Sequence, residues 1–328
     1  MIPKRYYLYL SVILALVLIG SFVVLKKRSI DIRNGEALAG SNTLKGIITG
    51  LPCNYASYRP LAVMLSSDPE ARPLSGISQA DTVFEMPVTP NGVTRMMAVF
   101  QCERPKEIGS IRSARLDFVP LALGLDTLYA HFGGEHTILE KLDSGVINNI
   151  DGLKYDGTTY YRKSGVPRPH NAFTSFDLLI KTITDLGYNQ RSTTTSYLHE
   201  KKSNSLGIVT PPAFYAHQFS VTWQYDAKTN SYLRSRNGKA ETDKNTNKQV
   251  SVQNVAELKT TWSPISDDYL RIQTVGKGLA KIYKNGEVVN GSWEKKEDKS
   301  KLYFYDNKGI EIQFVSGKIW VEITAPLP

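Results

Sequence analysis

Arginines, histidines and paired glycines are concentrated in one stretch of the sequence, GSIRSARLDFVPLALGLDTLYAHFGGEH, between residues 109 and 136. An arginine presents a planar fork of N–H donors that matches a carboxylate or a phosphate in two-point contact. A Gly-Gly turn between a strand and a helix exposes backbone N–H groups at the positive end of the helix dipole. The stretch therefore predicts an anion-binding site that includes Arg112, Arg115, His131, Gly133 and Gly134.

Two other segments supply residues of the same type. Arg95 lies in an apolar run that is typical of a strand, and the Pro/Gly-rich loop YYRKSGVPRPHNAF follows further along the chain. Loops carried on a rigid α/β scaffold are where binding residues concentrate. The full set of predicted ligand-binding residues is Arg95, Arg112, Arg115, His131, Gly133, Gly134, Arg162, Arg168, His170 and Asn171.

A purely structural role for the arginines is the alternative. Arg95 would then pair with Glu85 across two neighbouring strands, and Arg112 would pair with Glu107. Opposite charges that face one another in this way need no ligand, so the sequence leaves both interpretations open.

Catalytic residues are not identified by any motif. Glu85 is a weak candidate for an acid or base, provided that it is buried beside Arg95. His131, Glu135 and His136 lack the HExxH spacing of a helix-borne metal pair, so no metal site is predicted. The sequence has no nucleophile elbow, P-loop, dinucleotide-binding glycine motif or redox motif, and no cofactor is predicted.

The elements that must position these residues are predicted from hydrophobic periodicity. Strands are expected at Arg59–Ser66, Asp81–Val88 and Val93–Phe100, with the PNG turn joining the last two in a hairpin. Helices are expected from Ile111 to Pro120 with Ser110 as N-cap, over Glu135–Leu142, and over Ser175–Gly187. Residues 46–190 therefore predict a mixed α/β layered domain.

A change of pattern separates the second half of the chain. Residues 191–210 are predicted to be a linker, and residues 211–328 show short alternating strands with Asn-Gly turns at 237–238, 285–286 and 290–291. The four tryptophans fall in this part and are expected to lie in its core. The predicted fold class is α+β: an N-terminal transmembrane helix, a mixed α/β layered domain and a C-terminal all-β domain.

The N-terminus predicts a membrane anchor. Tyr6–Leu25 is a run of 20 residues without a charge, flanked by basic residues on both sides, and about 20 apolar residues span a bilayer. A cleaved signal peptide is the alternative, but the apolar run is long for one. We expect residues 1–28 to be an uncleaved single-pass anchor with the N-terminus inside, residues 29–45 a linker, and the folded domains outside.

Charge and cysteine content narrow the functional classes. The net charge is +9, but five of the basic residues lie in the first 28 positions, and no long Lys/Arg run follows, so nucleic-acid binding is not predicted. Cys53 and Cys102 permit a disulfide outside the cytoplasm, and two unpaired thiols are the alternative that the sequence leaves open.

Long stretches of the chain resemble the YerB-like proteins of the DUF3048 family. They include RPLAVMLSSDPEARPLSGISQADTVFEMPVTPNGVTRMMAVFQ, EIGSIRSAR, LYAHFGG, RPHNAF and GIEIQFVSGKIWVEI, and the similarity runs from about Gly46 to the end. The resemblance implies an exported envelope protein, since many members are lipoproteins of Gram-positive bacteria. This chain departs from them in having an apolar anchor and no lipobox cysteine. Among the site residues, the resemblance covers Arg95, Arg112, Arg115, His131 and His170.

These features are compatible with three functions. The first is an extracytoplasmic module that binds an anionic envelope ligand, such as a cell-wall polymer or a lipid-linked precursor. The second is a cell-wall phosphotransferase or hydrolase that uses the same pocket. The third is a scaffold whose β domain docks an envelope protein partner. In each case the cell membrane is a partner through Tyr6–Leu25.

Overall fold

The computed structural model describes residues 44–201, 207–266 and 268–326. The predicted anchor at Tyr6–Leu25 and most of the predicted linker lie outside these residues. Among the described residues, none of the helices has the length and apolar composition needed to cross a bilayer. The anchor therefore stays a prediction.

The described part is a mixed α+β fold that is rich in strands and has few helices. The strands up to residue 200 are β1 (Leu61–Ser66), β2 (Thr82–Pro87), β3 (Thr94–Phe100), β4 (Ile108–Gly109), β5 (Leu128–His131), β6 (Asn149–Asp151), β7 (Tyr161–Arg162), β8 (Ala172–Thr174) and β9 (His199–Glu200). The helices are α1 (Val119–Gly124), α2 (His136–Asp143), α3 (Gly152–Tyr155) and α4 (Phe176–Asp185), with short 3₁₀ turns at Pro69–Ala71, Ile77–Gln79, Leu116–Phe118 and His217–Phe219.

Strands make up nearly all of the regular structure after residue 210. They are β10 (Val221–Asp226), β11 (Ser231–Arg236), β12 (Lys239–Ala240), β13 (Ser251–Val252), β14 (Asn254–Lys259), β15 (Trp262–Pro264), β16 (Leu270–Ile272), β17 (Gly276–Lys284), β18 (Glu287–Lys295), β19 (Tyr303–Asp306), β20 (Phe314–Val315) and β21 (Ile319–Thr324).

One ten-stranded sheet runs through both halves of the chain, in the order β19-β18-β17-β14-β21-β2-β3-β1-β5-β6. The two halves meet where β2 pairs in parallel with β21, with Phe84 opposite Val321. The segment predicted as a linker also contributes a strand, because β9 pairs with β20. The two halves are therefore parts of one sheet, and the described residues from 44 onward belong to one compact unit.

Both faces of the sheet are covered. Helices α1 and α2 pack on one face, where Met97 and Tyr129 are among the buried residues. Helix α4 and the small sheet of β10–β13 pack on the other face. Alternate residues of a strand point to opposite faces, so neighbouring positions such as Arg95 and Met96 enter different layers.

Most predicted elements near the candidate site are confirmed, including the β2–β3 hairpin and helices α2 and α4. The predicted helix beginning at Ile111 is wrong. The backbone N–H groups of Ile111 and Arg112 donate instead to Ala172 and Met64, so the segment is pinned between neighbouring strands. Helix α1 begins only at Val119, and Pro120 lies in its first turn, where a missing N–H costs little.

Two of the three predicted Asn-Gly turns are confirmed. Asn237-Gly238 and Asn285-Gly286 have positive φ and join paired strands, as type I′ turns require. The predicted turn at Asn290-Gly291 is wrong, because both residues lie within β18. A Cβ on Gly291 would lie 1.9 Å from the carbonyl oxygen of Tyr305, so glycine allows β19 to approach closely.

The predicted burial of the tryptophans is confirmed for Trp223, Trp293 and Trp320, which are all fully buried. Trp262 is half-buried at the edge of the core. None of the three buried rings is available as a platform for a sugar.

Candidate functional site

Three arginines come together at one edge of the ten-stranded sheet. Arg95 is at the start of β3, directly opposite Ser66 at the end of β1. Arg112 and Arg115 lie on the extended segment that crosses this edge. Because β1 and β5 run parallel, the site is at the carboxyl ends of parallel strands, where α/β proteins commonly bind ligands.

Backbone hydrogen bonds hold the crossing segment in place. The N–H of Ser66 donates to the carbonyl of Ser110 at 3.1 Å, and the N–H of Ala114 donates to the carbonyl of Gly133 at 2.9 Å. The N–H of Phe132 donates to the carbonyl of Arg112 at 3.0 Å. The segment is thus clamped between the ends of β1 and β5, which explains why residues three apart project together without a helix.

Asp68 is the carboxylate at the centre of this group. Its Oδ2 accepts a hydrogen bond of 2.6 Å from Ser66 Oγ. The same oxygen lies 3.6 Å from Arg95 Nη1, 3.8 Å from Arg112 Nη2 and 4.0 Å from His170 Nδ1. These distances exceed a hydrogen bond, so Asp68 attracts the cations without saturating their donors. We call Arg95, Arg112 and Arg115, together with Asp68 and His170, the arginine cluster.

Several buried polar atoms of the cluster have no hydrogen-bond partner among the described residues. They are Nε and Nη1 of Arg95, Nε of Arg112, Nε of Arg115 and Nδ1 of His170, and the hydroxyls of Ser110 and Tyr129 nearby are also unpartnered. A buried polar group left without a partner costs about 1–3 kcal/mol. Such groups gathered in one place require an explanation, for which ordered water and a bound ion are the usual candidates.

The electrostatics of the cluster show an excess of positive charge. Burial and the charges of Arg112 and Arg115 lower the pKa of Arg95 to about 9, with Asp68 opposing the shift. Burial also lowers the pKa of Arg112 and Arg115. Burial alone would raise the pKa of Asp68, but the Ser66 hydrogen bond and the nearby cations outweigh it, and this pKa lies below its ordinary value. A bound anion would relieve the repulsion among the guanidinium groups.

His131 and the Gly-Gly pair serve the scaffold next to the cluster. His131 is fully buried, with Nδ1 2.8 Å from the carbonyl of Gly133 and Nε2 3.2 Å from Asn149 Oδ1. The N–H of Gly133 donates to Asp151 Oδ1 at 2.8 Å. Gly133 needs its positive φ of 67°, which strains any residue with a Cβ.

A backbone N–H group at the N-terminus of α2, the helix after Gly134, already has a carboxylate partner. The Glu135 carboxylate caps α2 by accepting the N–H of Thr137 at 3.1 Å. An anion bound at this turn would therefore face a carboxylate that takes the same donor.

The loop at 162–171 contributes one residue to the cluster, His170. Arg162 instead pairs with Asp156 at 3.0 Å, donates to Asn171 Oδ1 at 3.1 Å and lies over the ring of Phe132. Arg168 is exposed to solvent. The structure therefore joins Arg95, Arg112, Arg115 and His170, and leaves the other predicted residues outside the cluster.

The predicted pair of Glu85 and Arg95 is wrong. Glu85 is opposite Met96 and Arg95 is opposite Met86, so the two charged side chains project from opposite faces of the sheet. Glu85 is fully buried, accepts a hydrogen bond from Thr94, and does not reach the arginine cluster.

The predicted pair of Arg112 and Glu107 is also wrong. Glu107 is bound by Lys163 and Ser75, both at 2.7 Å, and by Tyr161 at 2.9 Å. Arg112 faces Asp68 instead.

Comparison with known proteins identifies the family. The model described as "Protein of unknown function (DUF3048) N-terminal domain" matches residues 48–189, and the C-terminal domain of the same family matches residues 211–321. The chain belongs to the DUF3048 family.

One member, YerB of Bacillus subtilis, illustrates the similarity in both sequence and structure. The chain is 32% identical over 294 residues to a protein of Bacillus subtilis (strain 168) described as "Putative lipoprotein YerB", with 87% of each covered. A crystal structure of YerB from Bacillus subtilis matches with a TM-score of 0.78 at 30% identity, covering 87% of this chain and 97% of that chain. The family resemblance predicted from the sequence is confirmed.

The two DUF3048 segments are joined by a buried network of charges that the sequence analysis missed. Glu85 of the first segment is bound by Arg236 at 2.7 Å and by Arg234. Arg234 also binds Glu241 at 2.6 Å and Glu322 at 2.5 Å. The sequence signal for this network was YLRSR, in which two arginines are two residues apart and therefore lie on one face of a strand.

Asp68 was missed as well, because a lone aspartate after a strand is a common turn residue.

Two cavities lie beside the segments that carry the cluster. A cavity of about 320 Å³ lies between Pro69–Leu74 and Arg236–Thr242, and none of Arg95, Arg112 and Arg115 lines it. A cleft of about 40 Å³ adjoins Arg115. Within residues 44–326, apart from the undescribed gaps, no group of three or more His, Cys, Asp or Glu residues is arranged to hold a metal ion.

Proposed function

We propose that this chain is a membrane-anchored, extracytoplasmic protein of the bacterial cell envelope that binds an anionic ligand through the arginine cluster. The ligand class is a phosphate-bearing or acidic glycan. The observation that carries the proposal is the set of buried, unpartnered guanidinium N–H groups of Arg95, Arg112 and Arg115, of which Asp68 faces the first two at 3.6 and 3.8 Å.

The chemistry of the cluster favours an anion over other ligands. Arginine donors form short, charge-assisted hydrogen bonds with phosphate or carboxylate oxygens. An anion would supply acceptors for the unpartnered donors and would offset the repulsion that lowers the pKa of Arg95. Binding is proposed rather than catalysis, because Glu85, the candidate acid or base, lies on the opposite face of the sheet.

The envelope location has three lines of support. Tyr6–Leu25 has the length and composition of a membrane span. Cys53 and Cys102 form a disulfide, and disulfides persist in oxidising compartments outside the cytoplasm. The similar Bacillus subtilis protein is described as a lipoprotein, and lipoproteins are membrane-attached.

The test of ligand binding uses the full-length chain in detergent. Its thermal midpoint is measured with inorganic phosphate, pyrophosphate and glucuronate, because a ligand that binds only the native state stabilises it by mass action. The double variant Arg112→Ala/Arg115→Ala is compared with wild type. Arg191→Ala is the matched control, because Arg191 is exposed and packs on Tyr58 outside the cluster.

A ligand at about 100 times its Kd adds about 2.7 kcal/mol to the free energy of unfolding. We expect this stabilisation for wild type and for Arg191→Ala, and its loss in the double variant. Equal stabilisation in the double variant, or no stabilisation of wild type by any of the three anions, would overturn the proposal.

A further inference from the structure

Tyr269 lies beside the arginine cluster, although it belongs to the second DUF3048 segment. The guanidinium carbon of Arg115 lies over its ring, 5.0 Å from the ring centroid. The phenol group is close enough to interact electrostatically with both Arg95 and Arg115. Tyr269 is half-buried, so one side of it faces solvent.

The hairpin of β15 and β16 holds Tyr269 in this position. Leu270, the next residue, donates its N–H to the carbonyl of Val88 at 3.2 Å. The N–H of Ile272 donates to Asp117 Oδ2 at 2.7 Å. Asp117 lies only two residues beyond Arg115 in the chain, so this bond fixes the hairpin against the segment that carries the arginine.

Two further contacts hold the β15–β16 hairpin against Asp117. The hydroxyl of Thr274 donates to the carbonyl of Asp117 at 2.9 Å, and Arg271 pairs with the Asp117 carboxylate at 3.1 Å. Ile272, Thr274 and Arg271 thus all contact Asp117, which lies next to the cluster. These contacts fix the position of Tyr269 beside Arg115.

We propose that Tyr269 is a ligand-contacting residue of the arginine cluster. Its ring orients the Arg115 guanidinium, and its hydroxyl donates a hydrogen bond to the anion that the arginines bind. This inference rests on the proposed function and adds to it that the second DUF3048 segment supplies part of the binding site.

The chemistry of the two groups fits this division of roles. A guanidinium over an aromatic ring is attracted to the negative face of the ring, and its N–H donors lie in the guanidinium plane. Arg115 keeps a buried, unpartnered Nε in this plane. A neutral phenol adds a donor without adding charge, so it complements an anion that three cations already attract.

The experiment compares Tyr269→Phe, which keeps the ring, with Tyr269→Leu, which removes it. The Kd for pyrophosphate is measured by calorimetry on the full-length protein in detergent. Tyr303→Phe is the matched control, because Tyr303 is a half-buried tyrosine on β19 at the far end of the sheet. Arg115→Ala is measured in parallel.

We expect Tyr269→Phe to weaken pyrophosphate binding about tenfold or more, which is the loss of one hydrogen bond to a charged group. Tyr269→Leu should weaken it further, and Tyr303→Phe should not change it. The thermal midpoint of ligand-free Tyr269→Phe should equal that of wild type, so the loss is not one of folding. If Tyr269→Leu does not fold, Tyr269→Phe decides the question.

The outcomes separate the two proposals. If Arg115→Ala loses affinity while Tyr269→Phe binds as tightly as wild type, the anion site stands and the role of the Tyr269 hydroxyl is overturned. If Arg112→Ala/Arg115→Ala binds as tightly as wild type, the arginine cluster is not the site, and both proposals are overturned.

Discussion

Arg95 is 3% exposed, yet it has no carboxylate within hydrogen-bond distance. Buried charges in proteins are normally paired, because removing an ion from water costs several kcal/mol. Here two further guanidinium groups are close by; Asp68 attracts Arg95 and Arg112, and the Glu135 carboxylate acts more weakly on Arg115. At the scale of single residues, the proposed site therefore depends on how far Asp68 offsets the charges of these arginines.

Replacing Asp68 by asparagine tests this balance. Without an anion, Asp68→Asn should lower the free energy of unfolding by about 3 kcal/mol, because the arginines lose their counter-charge. With pyrophosphate the variant should gain more stability than wild type, since no carboxylate opposes the ligand. Denaturant titrations with and without pyrophosphate measure both effects.

Asp185→Asn is the control for this experiment, because Asp185 is exposed at the end of α4 and pairs only with Lys181 on its own helix. A stability of Asp68→Asn equal to that of wild type, or a smaller gain from pyrophosphate, would contradict the prediction.

Asp81 carries a pH dependence of its own. It is 3% exposed, and its Oδ2 accepts the N–H groups of Gln101 at 2.6 Å and Cys102 at 3.1 Å. Burial raises its pKa from 3.8 to about 6. Between these values the unfolded chain has released the proton and the folded chain has kept it, so stability falls as pH rises from about 4 to about 6.

Asp81→Asn should remove this contribution. Relative to the variant, wild type should lose about 3 kcal/mol of unfolding free energy between pH 4 and pH 7, since each pKa unit corresponds to about 1.4 kcal/mol. Urea titrations of both proteins across this range measure the difference. Parallel curves for the two proteins would show that Asp81 titrates normally.

At the scale of elements, the contact between the β15–β16 hairpin and the Leu116–Phe118 turn joins the two halves next to the site. Asp117 makes this contact with both its carboxylate and its backbone carbonyl. Burial raises the pKa of Asp117 to about 6, so the contact is made by a desolvated group. The position of the hairpin therefore depends strongly on one side chain.

Asp117→Ala should free this hairpin. We expect the amide of Ile272 to exchange its hydrogen about tenfold faster or more, because its acceptor is lost, while amides in β1 and β3 keep their protection. Hydrogen exchange followed by NMR or mass spectrometry measures this. Asp268→Ala, an exposed carboxylate in the same hairpin, is the control, and unchanged exchange at Ile272 would contradict the assigned role of Asp117.

At the scale of the whole molecule, the two DUF3048 segments depend on each other. The parallel pairing of β2 with β21 covers an edge that the first segment alone would leave open. The same interface buries Glu85 against Arg234 and Arg236, and removing one side of a buried ion pair leaves an uncompensated charge.

A chain that ends at residue 210 should therefore not fold cooperatively. It retains Glu85 but lacks both arginines and β21, so we expect no sharp urea transition and a weak near-ultraviolet circular dichroism signal. Coexpression with residues 211–328 should restore both. The full-length chain in the same detergent is the control, and a cooperative transition in the shortened chain would refute the mutual dependence.

Local sequence determined the elements whose stability is local. Short apolar runs predicted β1, β2 and β3, whose residues are buried on both faces of the sheet, and helical spacing predicted α2 and α4, which each bury one face. The family resemblance and the arginines at positions 95, 112 and 115 were also readable from the sequence. The helix at Ile111 was mispredicted because local spacing did not reveal its hydrogen bonds to distant strands.

Only the tertiary structure decided which residues share a space. Glu85 and Arg95 were expected to pair, but hairpin register placed them on opposite faces, since a shift of one residue reverses a side chain's direction. Asp68 and Tyr269 joined the arginines through strand order and a hairpin contact far along the chain. Long-range pairing between segments sets these positions, and no local pattern encodes it.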